Sequence, residues 1–95
     1  MKNIDFQVPA ITWSDLAIAV GIREGSRITI ELREQSPPAH HRMAGSFRVT
    51  AGLSSMSLYD CAGMDEFRAQ AAFDANIKLA QRQGYLVTTW YFDRP

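Results

Sequence analysis

Few side chains in this sequence have types and spacings that could do chemistry: the adjacent His40 and His41, Cys61 beside Asp60, and scattered serines. Neighbouring imidazoles on a loop rarely converge on one ion, and no further His or Cys stands at ligand spacing, so no metal site is predicted. The two histidines read instead as solvated residues that titrate at roughly pH 6 to 7. Cys61, a histidine and Asp60 could be drawn as nucleophile, base and orienter. No local signature supports the drawing, and Cys61 is expected to be a buried or half-buried thiol near a strand end, beside Met56 and Leu58. No serine lies in a G-x-S-x-G elbow. Among the carboxylates, Asp65 and Glu66 suit a helix start, Glu24 a turn, and Glu31 and Glu34 an exposed strand face. The segment Gly21-Ile22-Arg23-Glu24-Gly25 lacks the lysine and the following helix of a phosphate-binding loop. The sequence therefore predicts no catalytic, cofactor-binding or metal-binding residue, and no enzyme.

What remains is surface. Arg27, Arg33 and Arg48 fall on strand faces opposite Ile28, Leu32, Phe47 and Val49, and together with Trp90 and Tyr91 they form the predicted interaction surface. One reading of that set is RNA or single-stranded nucleic acid, with arginines on phosphates and aromatics stacking on bases. Against it, Glu31 and Glu34 interleave with the arginines, and aromatics on a terminal strand usually fill the core beneath a helix. The preferred reading is a small non-enzymatic module, an adaptor or an inhibitor, that binds another protein or complex. Strand edges offer pairing with a partner or with a second copy.

Composition narrows the classes further. At 95 residues the chain suits one domain with one core. Its 46% apolar and 21% charged content is that of an ordinary globular domain, which argues against general disorder. Ten basic and ten acidic side chains cancel, so no global field gathers phosphate, and no acidic surplus imitates nucleic acid. A lone cysteine rules out an internal disulfide framework and fits a reducing compartment, making the cytoplasm the expected location. Met1 to Val8 holds Asp5 and Gln7 within its apolar pattern, so it does not read as a signal peptide. No apolar run reaches the roughly 20 residues that span a bilayer.

The elements that must position these residues are organised around one helix. Asp65 to Gln83 contains neither proline nor glycine, begins with acidic residues and ends with Lys78, Arg82 and then Gly84, the expected left-handed stop. Ala69, Ala72, Phe73, Ile77 and Ala80 share a stripe at helical spacing and are expected to face a sheet. Asn76 interrupts that stripe and is expected to bond nearby backbone or water. Tyr85 to Phe92 is nearly all β-branched or aromatic, predicting a final strand.

Before the helix, period-two alternation predicts strands over Ile4 to Val8, Arg27 to Glu34, Ser46 to Ala51 and Ser55 to Cys61. Ile28, Ile30 and Leu32 are expected inward, with Thr29, Glu31 and Arg33 outward. Asp15 to Ile22 is ambiguous between a short helix and a strand. Leu16, Ile18, Val20 and Ile22 alternate with Ala17, Ala19 and Gly21, which favours a strand whose small-residue face could accept a close neighbour. Ala10 to Ser14 reads as a connector, with Trp13 as a lid over the core edge. Gln35 to Gly45, with its two prolines, reads as a mobile loop. The fold class predicted is α+β: an antiparallel sheet of about five or six strands, one long C-terminal helix across one face, and a last strand.

Overall fold

The structure, a computed structural model, describes residues 11–38 and 45–93. The predicted strand Ile4 to Val8, together with His40 and His41, lies outside these residues. Among them are five strands, β1 (Thr12–Arg23), β2 (Ser26–Ser36), β3 (Phe47–Leu53), β4 (Met56–Met64) and β5 (Leu86–Tyr91), with the helix α1 (Glu66–Arg82) between β4 and β5. The strands form one sheet in the order β4-β3-β2-β1-β5, every neighbouring pair antiparallel. The α+β arrangement is therefore as the periodicity predicts. β4 and β5 run in the same direction at opposite edges of the sheet, and α1 carries the chain back across one face to connect them.

The helix forms where its signals lie. Asp65 is the N-cap and accepts a hydrogen bond from the Arg68 amide at 2.8 Å. Gly84, at φ +90°, turns the chain out of the last turn into β5. Ala69, Phe73 and Ala80 are buried, and Ala72 and Ile77 pack partly against the same core. Asn76 donates its amide to the Ala72 carbonyl at 2.8 Å, which satisfies it within the helix, as expected. At the C-terminal end the Arg23 guanidinium lies 4.5 Å from the centre of the Tyr85 ring and donates to the Gln83 carbonyl at 2.6 Å. The last helical turn is thereby tied to the end of β1 by a cation on its free carbonyls.

Beneath the helix, Ile28, Ile30 and Leu32 of β2 and Phe47, Val49 and Ala51 of β3 supply the sheet side of the core, with the alternation predicted. β1 is a strand, as favoured, but its packing face runs against size. Ala17 and Ala19 are wholly buried, while Ile22 on the other face is 53% exposed. Close approach explains this. A Cβ added at Gly21 would lie 2.7 Å from Ile28 Cγ2 and 3.0 Å from Tyr85 Cβ, so only small residues fit where Tyr85 crosses β1. Leu16 still reaches the core because the register shifts between Asp15 and Ala17, a bulge that turns two consecutive residues inward.

Other boundaries move outward from their predicted places. Thr12 to Ser14 belong to β1 rather than a connector, and Gln35 belongs to β2, which ends at Ser36. Ala62 to Met64 continue β4 past a bulge instead of leading straight to the helix cap. Gly45 lies against that segment so tightly that a Cβ there would come within 1.8 Å of the Met64 carbonyl oxygen.

Candidate functional site

The helix covers one face of the sheet and leaves the other open among the described residues. Cross-strand partners project to the same side, so the register assigns the open face. β5 contributes Leu86, Thr88 and Trp90, opposite Ile22, Val20 and Ile18 of β1. Those in turn face Arg27, Thr29 and Glu31 of β2, and Thr29, Glu31 and Arg33 face Gly52, Thr50 and Arg48 of β3. The result is a face in two parts. Ile18, Val20, Ile22, Leu86 and Trp90 form an apolar stripe along the β1–β5 margin, with Leu86 81% and Trp90 50% exposed. Beyond it lie small polar residues and charges.

Arg33 and Arg48 are neutralised locally. Arg33 donates from Nε to Asp15 Oδ1 at 2.8 Å and also bonds Glu31 through Nη2. Arg48 makes a two-pronged contact across to β4, Nε to Asp60 Oδ1 at 2.8 Å and Nη2 to Asp60 Oδ2 at 2.6 Å. Its hydrogen bonds hold the Asp60 carboxyl below its ordinary range; burial opposes them, and the weaker charge attraction of Arg48 adds to them. The same guanidinium lies 5.5 Å from the centre of the Trp13 ring, so Trp13 backs a charge on the open face and is not a lid over the core. Glu34 does not interleave with the arginines: it pairs opposite Phe47, which places it on the helix side.

Of the predicted surface residues, Arg27, Arg33, Arg48 and Trp90 share the open face. Tyr91 alternates to the helix side, where its ring meets Phe73 edge-on at 6.4 Å between centroids. The expectation that terminal-strand aromatics fill the core is corrected for Trp90, Tyr91 and Phe92, which are 50, 66 and 47% exposed; only Tyr85, just before β5, is buried. Among the described residues β5 is an edge strand, so its side chains have a neighbouring strand on one side only. The apolar stripe of β1 was missed because β1 is apolar on both faces. Its signal was the Ala-Ala-Gly face, which suits contact with a close neighbour better than contact with water.

Cys61 and Asp60 do not come together as a catalytic pair. Cys61 sits opposite Val49 on the helix side, half-buried, whereas Asp60 turns to the open face to meet Arg48. Tyr59 shares the helix side with Cys61, and its hydroxyl is pushed up chiefly by burial. Met56 and Leu58 are exposed rather than packed beside the thiol. No group of three or more His, Cys, Asp or Glu side chains converges among the described residues. An open groove of about 570 Å³ crosses the sheet at the β3–β4 turn, lined by Arg27, Thr29, Glu31, Thr50, Gly52 and Ser57. No helix among the described residues is long and apolar enough to cross a membrane.

Comparison of the chain with family models, with curated proteins and with solved structures finds no match.

Proposed function

We propose that this chain is a non-enzymatic interaction module that binds another protein, as an adaptor or an inhibitor, through the open face of its sheet. The observation that carries the reading is the apolar stripe Ile18, Val20, Ile22, Leu86 and Trp90, bordered by charges of which Arg33 and Arg48 are already paired with carboxylates. A cluster of exposed and half-buried aliphatic side chains around a tryptophan is the composition from which binding hot spots are made. Ion pairs at its border can set orientation and association rate while adding little to affinity. Arg33 and Arg48 are poorly suited to phosphate, because a polyanion would have to displace Asp15, Glu31 and Asp60 from them. The nucleic-acid reading loses support for that reason.

The test is capture of a partner from the native host, identification by mass spectrometry, and affinity measurement with purified components. Trp90→Ala is expected to weaken that complex by about 2 kcal/mol or more, and Arg33→Ala by less than about 1 kcal/mol. Mixed-sequence DNA and RNA should not bind at physiological salt. Submicromolar binding to either polymer that is lost in Arg33→Ala or Arg48→Ala, with a steep salt dependence, would replace this function with nucleic-acid recognition.

A further inference from the structure

Among the described residues, the two edges of the sheet are built differently. Along β4 the pairing with β3 is broken by two register shifts, Asp60 places a charge in the strand, and Gly63 takes φ +76°. Such features discourage pairing with another chain. β5 has none of them: Leu86 to Tyr91 reads LVTTWY, without charge or proline, and its pairing with β1 runs unbroken from Ile22↔Leu86 to Ala17↔Tyr91.

Its backbone is also poised for a partner. The Phe92 amide donates to the Leu16 carbonyl at 2.9 Å, so the even-numbered residues of β5 bond inward to β1. Alternation then turns the N–H and C=O groups of Val87, Thr89 and Tyr91 outward, away from the sheet.

We infer that β5 pairs with β5 of a second copy of this chain, antiparallel about a two-fold axis through Thr89, joining the two sheets into one. A two-fold pairing places a residue opposite itself, and centring it on Thr89 engages every outward group of the strand. Thr89 bonds Thr89 of the second copy, and Val87 and Tyr91 bond each other reciprocally. On the open face the same register sets Leu86 against Phe92 and Thr88 against Trp90. The apolar Leu86 thus meets the apolar Phe92, and no charge meets a like charge.

The near-zero net charge of the chain adds no long-range repulsion between copies. At about 200 Å² for a large side chain, the exposed fractions of Leu86, Trp90, Tyr91 and Phe92 come to roughly 500 Å² per copy. The pair thereby offers at most about 1,000 Å², the size at which specific interfaces begin. The expected dimer is modest in affinity, and it brings both apolar stripes side by side. This inference is independent of any other partner, because the purified chain alone tests it.

Sedimentation of the purified chain from about 1 μM to about 1 mM should give a reversible monomer–dimer equilibrium. Thr89→Pro removes an outward amide that makes no bond to β1, so the variant should be monomeric with an unchanged melting transition. Should that variant fold poorly, Leu86→Lys, at a side chain 81% exposed, is the second probe; it should raise the dimer Kd by about tenfold or more. In a Cys61→Ser background, Thr89→Cys should cross-link to itself on mild oxidation. The roughly 5.5 Å between Cα atoms of a hydrogen-bonded antiparallel pair suits a disulfide. Val87→Cys in the same background should not cross-link. A parent chain that stays monomeric throughout, a dimer unaffected by Leu86→Lys, or equal cross-linking at positions 87 and 89 would each overturn the pairing.

Discussion

Phe73 and Phe67 lie on the same helix and differ almost completely in surroundings: Phe73 is wholly buried and Phe67 is 85% exposed. Replacing each with alanine makes the same chemical change in two environments. For Phe73, burying an aromatic side chain removes roughly 200 Å² from water, which at about 25 cal/mol per Å² corresponds to about 5 kcal/mol. Partial collapse of the cavity and loss of the edge-on contact with Tyr91 act in opposite directions, and measured Phe→Ala changes in cores fall at about 3–5 kcal/mol. At roughly 0.05–0.15 kcal/mol per residue, a 95-residue chain has only about 5–14 kcal/mol in total. Phe73→Ala should therefore lower Tm by roughly 12–40 °C, since each kcal/mol shifts a domain of this size by about 4–8 °C. Phe67→Ala should stay within about 0.5 kcal/mol of the parent, because an exposed ring contributes little and alanine favours the helix. Thermal melts followed by circular dichroism, checked against urea midpoints, separate the two. Equal melting of Phe73→Ala and Phe67→Ala would mean that the buried face of α1 has been misassigned.

Gly21→Ala should destabilise by about 1–3 kcal/mol, since the new methyl group meets Ile28 and Tyr85 at less than ordinary contact distance. Stabilisation in a urea titration would show that Tyr85 does not pack across β1. Asp60→Asn addresses the pairing with Arg48 through its pH dependence. The folded-state pKa of Asp60 is lowered, so its contribution is present above the unfolded value near 3.8 and is lost as pH falls through the folded value. The stability gap between parent and variant should accordingly be constant near neutral pH and shrink in acid. A gap that persists unchanged down to pH values where carboxylates are protonated would refute the ion pair as its source.

The helix was legible because its signals are local. Asp65, the proline-free and glycine-free interior, and Gly84 each act within a turn or two of where they sit. β2 and β3 were legible because one of their faces is apolar and the other polar. β1 was not fully legible for the opposite reason: alternation identified two faces, but both were apolar, and Ala17 and Ala19 won the core by letting another element come close. The position of β5 at an edge is a property of strand order, which no local pattern encodes, and so the general expectation that terminal-strand aromatics fill the core fails there. The surface fared likewise. The arginine face was readable, but its neutralisation by Asp15 and Asp60 depends on the register of β1 on β2 and of β3 on β4, set by bulges that leave no mark in composition.

The two-sidedness of β1 also bears on how this protein can change over generations. At Ala17, Ala19 and Gly21 almost any substitution adds atoms where Tyr85 and the helix leave no room, so drift there is held close to zero. Ile22, one of three alternating with them, is more than half exposed, and Ile18 and Val20 are only partly covered; substitutions on that face incur far smaller penalties. One strand thus keeps an immutable side and a permissive side in register, one residue apart. New side chains can be tried at Ile18, Val20 and Ile22 while the scaffold that displays them stays intact, which lets that face change on a much shorter timescale than the fold.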